Sequence, residues 1–495
     1  MSKKIKYIWT FVVSASIVCA SLSEPCQWDQ YLGSPERTGY RTCNGPDSPE
    51  IFWEITLEGE IGNPLTAGDR IIVPCRRCIS GCSFGSIPSY ETTIVVIDLL
   101  TGIPLQEIVV EGSLRGVYPL GDLLLGESTY ELYEIDIISE EVSLISGISG
   151  EFSSPCYPHC YPALLPDKIV FPTTPVICLS RVDYSILWDL QSSLESFYSE
   201  NAETINIAAS TDIVYVILRD EEDSKIWAVD SSTGTLIWVS NTLKASNIAV
   251  DGSILFAGGD ALYALNAETG KLLWMFPCES GIHSNIVAGP FAVYFTDNKK
   301  LYAVDKNTGE LKWESQWEGL SFWITDVIGA GNVIFCSNIF KLSSFSAEDG
   351  TLLWNVHFQN HIDHSPQKQC PIVANRILIV GGDEHSNRLI ALASNPDLFV
   401  MRGDALLSQD VMDLAIDAYK KAAELYEKRG DLSRSQEMQE QIQELETQPE
   451  SLPSLTPSEP HTQIPAIAVV SIVVLIGILI IYYLAKRSSI INIED

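Results

Sequence analysis

Apolar residues alternate with small or polar ones over a thirteen-residue segment that recurs along the chain. The clearest copy runs from Leu301 to Trp313, and gap-free copies run from Ile226 to Trp238, Leu262 to Trp274 and Leu342 to Trp354. Alternation with a period of two predicts β-strands. Asp or Asn before a Gly predicts a short turn in which Gly takes a positive φ. Each copy is therefore predicted to be a β-hairpin whose second strand ends on Trp.

Weaker copies extend this repeat toward both ends of the chain. The fifth position of each copy falls on Asp98, Asp136, Ser180, Asp230, Asn266, Asp305, Ser346 and Ala393, at intervals of 36 to 50 residues. That spacing is long enough for four short strands, and it predicts propeller blades rather than helical repeats. We therefore predict a mainly all-β chain with an eight-bladed β-propeller over residues 24–395. Seven blades is the alternative, because the weaker copies lack the turn Gly or the Trp.

The eighth copy, Arg388 to Asn395, stops after its third strand. A blade that lacked its fourth strand would leave an exposed edge. The upstream segment from Ile51 to Ile55 is predicted to supply the missing strand, so that Trp53 closes the ring.

The spacing of Ala303, Asp305, Gly309 and Trp313 resembles the repeat signature of the pyrroloquinoline-quinone-like (PQQ-like) β-propeller family. That family includes quinone dehydrogenases and also non-enzymatic proteins such as the outer-membrane-protein assembly lipoprotein of Gram-negative bacteria. The resemblance implies that each Trp docks between blades, over the Gly of a neighbouring repeat. The implied docking residues are Trp53, Trp188, Trp238, Trp274, Trp313 and Trp354, with Gly234, Gly270, Gly309 and Gly350.

A segment upstream of the propeller, which includes Trp28, Gly33 and Arg37, also resembles the segment that precedes the propeller in this family. Cys26 and Cys43 bracket this segment and could tie it down. Twelve cysteines in all, eleven of them beyond residue 23, would fit disulfide use in an oxidising compartment.

The two ends of the chain predict export and membrane anchoring. Three lysines, an apolar run and small residues make residues 1–23 a predicted signal peptide. Residues 466–485 are twenty uncharged, mostly apolar residues, which is the length of a transmembrane helix. Basic residues follow at once, so residues 486–495 are predicted to be a cytoplasmic tail and the propeller to lie outside the cytoplasm. Residues 447–465, rich in Pro, Ser and Thr, are predicted to be an extended stalk.

Between propeller and stalk, residues 396–446 have helical periodicity. Asn395 before Pro396 predicts a helix N-cap. Gly403, Ala415 and Tyr419 are among the positions that match a tetratricopeptide repeat. A single repeat of this kind could be a helical spacer or a docking site.

The acidic composition disfavours one class of partner. The chain has 64 Asp and Glu against 31 Lys and Arg, a net charge of −33. Binding to nucleic acid or to an anionic membrane surface is therefore disfavoured.

Metal binding has only weak support in the sequence. His361, His364 and His385, with Cys75, Cys78 and Cys82, could converge on one face and bind zinc or another divalent cation. The alternative is that the histidines are solvated loop residues and the cysteines form a local disulfide. We predict no metal site.

The signature of the family's enzymes does not accompany the repeat. No two cysteines are adjacent, as they are beside the quinone in the dehydrogenases of this family. The zinc-protease pattern H-E-x-x-H does not occur either. We therefore predict a membrane-anchored, non-enzymatic scaffold without a cofactor, which binds one or more protein partners of unknown identity. The alternatives are a PQQ-dependent oxidoreductase and a surface module that binds polysaccharide or another ligand through Trp317 and Trp323.

Overall fold

Eight mostly antiparallel sheets follow one another along the chain and form an eight-bladed β-propeller, as the repeat predicts. The computed structural model describes residues 26–82, 89–128, 131–145, 161–193, 203–220, 223–241, 243–282, 284–297, 299–316, 326–337, 341–357, 370–381 and 387–447. The structural statements below concern those residues.

Two strands precede the first blade: β1 (Tyr40–Arg41) and β2 (Ile51–Thr56). Blades one to four then follow in chain order. Their strands are β3 (Glu60–Ile61), β4 (Leu65–Ala67), β5 (Arg70–Ser80), β6 (Ser89–Asp98) and β7 (Pro104–Glu111) in blade one; β8 (Gly116–Leu120), β9 (Leu123–Glu127), β10 (Leu132–Asp136) and β11 (Val142–Ile145) in blade two; β12 (Ala163–Leu164), β13 (Lys168–Phe171), β14 (Ile177–Ser180) and β15 (Ile186–Asp189) in blade three; and β16 (Glu203–Ala209), β17 (Ile213–Asp220), β18 (Asp223–Asp230) and β19 (Leu236–Val239) in blade four.

Blades five to eight complete the ring. Their strands are β20 (Ala245–Asp251), β21 (Ile254–Gly259), β22 (Ala261–Asn266) and β23 (Leu272–Pro277) in blade five; β24 (Val287–Ala288), β25 (Ala292–Thr296), β26 (Lys300–Asp305) and β27 (Leu311–Gln316) in blade six; β28 (Asp326–Ala330), β29 (Val333–Ser337), β30 (Lys341–Ser346) and β31 (Leu352–His357) in blade seven; and β32 (Ile372–Ala374), β33 (Ile377–Gly381) and β34 (Arg388–Leu392) in blade eight.

The recurring segment is the hairpin between the third and fourth strands of a blade. In blade six, Asp305 Oδ1 accepts the backbone N–H groups of Asn307 and Thr308 at 2.9 and 3.0 Å. Gly309 follows at a φ of +76°. A carboxylate that accepts two turn N–H groups holds a short loop closed, and Gly takes the left-handed position at no steric cost.

The ring closes where the sequence predicts. Strand β2 pairs antiparallel with β34, with Trp53 opposite Ala391 and Ile55 opposite Leu389. The upstream strand is thus the fourth strand of blade eight, and the first and last parts of the propeller share one sheet.

Residues 26–48, which we call the N-terminal arm, contact the innermost strands of almost every blade. Carbonyl groups of the arm accept backbone N–H groups from six blades, those of Thr66, Ala209, Val250, Ala288, Gly329 and Asn375. Gln30 exchanges hydrogen bonds with Leu164 in a seventh blade. Strand β1 adds to blade seven in parallel, and a disulfide joins Cys26 to Cys43. The arm therefore fills part of the space at the centre of the ring.

Four helices accompany the strands: α1 (Leu190–Ser193) after β15, then α2 (Pro396–Ser408), α3 (Met412–Lys428) and α4 (Leu432–Glu446). Asn395 caps α2 by accepting the N–H of Asp397, and Pro396 occupies the first turn, as predicted. The ring of Phe399 meets that of Phe52 edge-on at 5.0 Å, so α2 packs against the outer strand of blade eight. The match of these helices to a tetratricopeptide repeat stays a prediction.

Among the described residues, no helix is both long enough and apolar enough to cross a membrane. The predicted signal peptide (1–23), transmembrane helix (466–485) and tail (486–495) lie outside the described residues, as does all but one residue of the stalk.

Candidate functional site

The docking tryptophans pack against turn glycines of the following blade. A Cβ built on Gly234, Gly270, Gly309 or Gly350 would come within 2.5 to 2.9 Å of an indole carbon of Trp188, Trp238, Trp274 or Trp313 in turn. Each of these indole N–H groups also donates to a backbone carbonyl of the same turn, at 3.0 to 3.2 Å. Trp53 makes the equivalent contacts with Gly102 and the Leu99 carbonyl. These contacts hold neighbouring blades together.

Trp354 has a different partner. Blade eight has no turn Gly in its repeat, because α2 begins there, and the indole N–H of Trp354 donates instead to the Pro46 carbonyl at 3.3 Å. The N-terminal arm thus takes the place of the missing turn.

The proposed metal ligands do not form a site in the described part of the chain. Cys78 and Cys82 form a disulfide, the alternative left open by the sequence. Cys75 is fully buried, and burial raises the pKa of its thiol to about 12. No group of three or more His, Cys, Asp or Glu side chains suited to a metal occurs among the described residues. His361, His364 and His385 lie outside them, as do Trp317 and Trp323.

Arg37 of the N-terminal arm is a buried, charged residue that makes several hydrogen bonds. Its side chain is 1% exposed and donates to four carbonyls: Tyr31 at 2.7 Å, Tyr161 at 2.5 Å, Pro162 at 2.8 Å and Ile207 at 3.3 Å. The last three carbonyls come from the segments that lead into or form the inner strands of blades three and four. Arg37 therefore ties the arm to two blades at once, and each of its three side-chain nitrogens donates at least one hydrogen bond.

A small cavity lies beside the N-terminal arm. It has a volume of about 20 Å³, and residues of blades one, two and eight complete its wall. Its polar and aromatic lining consists of Trp28, Tyr31, Asn63, Arg115, Tyr118, Tyr161 and Cys370. Tyr31 and Tyr161 lie with ring centroids 4.2 Å apart, and Asn63 donates to the Tyr161 hydroxyl. Because a site for one water needs about 10–15 Å³, this cavity holds only a very small group.

Tyr118 lines the cavity, and its hydroxyl lies 2.9 Å from Glu127 Oε2. Glu127 is 5% exposed, and burial raises the pKa of its carboxyl to about 8 against the opposing effects of Tyr118 and Arg115. Burial also raises the pKa of Tyr118 well above its usual value. At neutral pH the pair is therefore mostly uncharged. No motif in the sequence singled out Glu127.

The cavity beside the N-terminal arm does not fit the quinone that the family resemblance suggests. A flat polycyclic ligand needs a slot many times larger than 20 Å³, since ordinary ligand pockets measure about 300–1,000 Å³. The one fully buried arginine beside the cavity, Arg37, is bound to backbone carbonyls. The adjacent cysteine pair is also missing from the sequence.

Parts of the chain are similar in sequence to known proteins. The family model of the outer membrane protein assembly factor BamB matches residues 222–383. A 97-residue stretch is 35% identical to the quinoprotein ethanol dehydrogenase of Pseudomonas putida; it covers 18% of this chain and 16% of that protein. The chain therefore spans about a sixth of the length of the curated relative it matches.

Solved structures show the same fold. A quinohemoprotein alcohol dehydrogenase from Pseudomonas putida superposes with a TM-score of 0.54 at 11% identity, over 74% of this chain and 80% of that one. The corresponding enzyme from Comamonas testosteroni superposes with a TM-score of 0.53 at 10% identity, over 76% and 82%. At such low identity these likenesses concern the fold alone.

Proposed function

Because the chain carries a PQQ-like β-propeller, we propose that it acts as a non-enzymatic scaffold that binds or assembles proteins. The observation that carries this proposal is the N-terminal arm, which occupies part of the centre of the ring. Carbonyl groups of the N-terminal arm bond to six blades, and the cavity that remains beside the arm measures about 20 Å³. Such a molecule has broad outer surfaces for a partner, and the cavity beside the arm is too small for a quinone.

The family match supports the same proposal. The matched family model is that of an assembly factor, and it covers the part of this chain with the clearest repeats. A rigid propeller suits that role, because its blades are held by docked tryptophans and change shape little on binding.

A PQQ-dependent oxidoreductase is the second candidate. The sequence identity with a quinoprotein dehydrogenase favours it. It requires that the arm move or that a slot exist elsewhere in the ring, because the described cavity does not admit the cofactor.

We further propose that the propeller lies outside the cytoplasm, anchored by the transmembrane helix that the sequence predicts at residues 466–485. Two disulfides among the described residues, Cys26–Cys43 and Cys78–Cys82, suit an oxidising compartment. The apolar run followed by Lys486 and Arg487 suits a single span with its end in the cytoplasm.

Protease treatment of sealed membranes tests this topology. With the outer surface exposed, protease is expected to remove the propeller epitopes and to leave a fragment that contains residues 466–495. Detergent-permeabilised membranes provide the control, in which that fragment is shortened as well. Protection of the propeller in right-side-out vesicles, followed by its digestion after permeabilisation, would contradict the orientation.

Cross-linking in native membranes tests the scaffold itself. The full chain is expected to form a defined set of cross-linked complexes, and purified ectodomain added in excess should compete for the same partner. Trp313→Ala, which weakens a blade contact, should reduce that competition, whereas substitution of the exposed Val182 by Ala should leave it unchanged. A chain that stays monomeric and uncross-linked would contradict the proposal.

A further inference from the structure

A buried hydrogen-bond donor without a described acceptor belongs to the lining of the cavity beside the N-terminal arm. Trp28 lines the cavity, its side chain is completely buried, and its indole nitrogen has no hydrogen-bond partner among the described residues. The indole N–H can only donate. A buried donor without an acceptor is unfavourable, so an acceptor atom in the cavity would stabilise this arrangement.

Arg115 adds a positive charge to the same cavity. Its side chain lines the cavity, the residue is exposed, and it makes no ion pair with any carboxylate that the structure describes. By contrast, Arg76 pairs with Glu60 at 2.5 Å. Arg219 pairs with Glu203 at 2.8 Å. In a chain with twice as many acidic as basic residues, an arginine of this kind remains available to an external anion.

The Tyr118–Glu127 pair can supply another donor. When Glu127 is neutral, its own O–H can donate to the Tyr118 oxygen, and the Tyr118 hydroxyl is then free to donate into the cavity. When Glu127 is ionised, it can only accept a hydrogen bond. The Tyr118 hydroxyl then donates to Glu127 and not into the cavity. The 2.9 Å separation of the two oxygens allows either arrangement.

We propose that this cavity binds the carboxylate group of a small organic acid, with Arg115 as its counter-ion and the Trp28 N–H and Tyr118 O–H as its donors. The volume of about 20 Å³ is right for the two oxygens of one carboxylate and too small for a ring system. The remainder of the acid has to be short, as in acetate. This site is independent of the scaffold role, because a scaffold needs no internal ligand.

Nuclear magnetic resonance of the ¹⁵N-tryptophan-labelled ectodomain tests the site with acetate as the probe. Trp28→Phe keeps an aromatic ring, removes one indole signal and thereby assigns it. In the parent protein, acetate is expected to shift that signal downfield and saturably, with a millimolar dissociation constant. Arg115→Gln should weaken binding by about tenfold or more. Arg70→Gln, which changes an arginine outside the cavity lining, is the matched control and should bind as the parent does.

A pH series adds a second readout. The charged or titratable groups that act on the pair are Arg115, Arg37 and Tyr161. Because burial raises the pKa of Glu127 to about 8, acetate affinity is expected to be highest below that pH and to fall as the pH rises through it. Glu127→Gln, whose amide does not ionise and can donate to Tyr118 at any pH, should bind acetate with no such dependence.

Several results would overturn the proposal. They are an unchanged Trp28 signal in acetate, equal affinities in the parent and the Arg115→Gln variant, or the same pH dependence in the Glu127→Gln variant. Circular dichroism of each variant separates loss of binding from loss of fold.

Discussion

Replacing Arg37 with Leu is expected to lower the free energy of unfolding by about 3–5 kcal/mol, as removal of one member of a buried charged network does. The guanidinium donates to four carbonyls in a place that water does not reach. Leucine would leave those carbonyls without donors, and each buried unsatisfied acceptor costs about 1–3 kcal/mol. Urea unfolding followed by tryptophan fluorescence measures the change.

The matched control for this substitution is Arg70→Leu. Arg70 is partly exposed, and its carboxylate neighbour Asp69 lies at 4.0 Å, so its loss should change the stability by less than about 0.5 kcal/mol. If the two variants unfolded at the same urea concentration, the N-terminal arm would not be part of the stable structure.

The second large effect is expected at a docking glycine. Gly309→Ala should destabilise the propeller by about 2–5 kcal/mol, because alanine is disfavoured at a φ of +76° and its Cβ would lie 2.7 Å from the indole of Trp274. The indole is held by the Lys306 carbonyl and by Phe256, whose ring centroid lies 6.0 Å away, so it cannot simply move aside.

Gly252→Ala separates the cost of a side chain at positive φ from the cost of the contact with the indole. Gly252 also has a positive φ, of +58°, but a Cβ there would meet nothing within 4 Å. Its substitution should therefore cost only the backbone part, about 1–2 kcal/mol. Thermal unfolding of both variants measures the difference, and equal melting temperatures would mean that the contact between Trp274 and Gly309 contributes nothing.

Local patterns predicted the blades because each blade is built from local hairpins. Asp305, Gly309 and Trp313 reveal a hairpin by their spacing alone, and even the degenerate copy around Asp136 marks the end of β10. Closure by β2 was also predictable, since an unpaired edge in blade eight requires a strand from elsewhere.

The site could not be predicted in the same way, because it is assembled from contacts far apart in the chain. Arg37 bonds to Ile207, 170 residues away, and nothing in the sequence marks an arginine for burial. Glu127 ends a strand in a weak repeat, and its raised pKa comes from burial that only the closed ring supplies. The spacing of Cys78 and Cys82 suits metal ligands as well as a disulfide. Only the structure, in which the two sulfur atoms are bonded, distinguishes these alternatives.

The most direct test of the scaffold account is reconstitution of the purified full chain with pyrroloquinoline quinone and calcium. The absorbance spectrum after removal of free cofactor reports binding, and a dye-linked assay with alcohols and sugars reports turnover. Because the arm occupies part of the centre of the ring and the cavity beside it measures about 20 Å³, we expect neither bound quinone nor dye reduction. Stoichiometric quinone binding accompanied by turnover would contradict the account and make this propeller an enzyme.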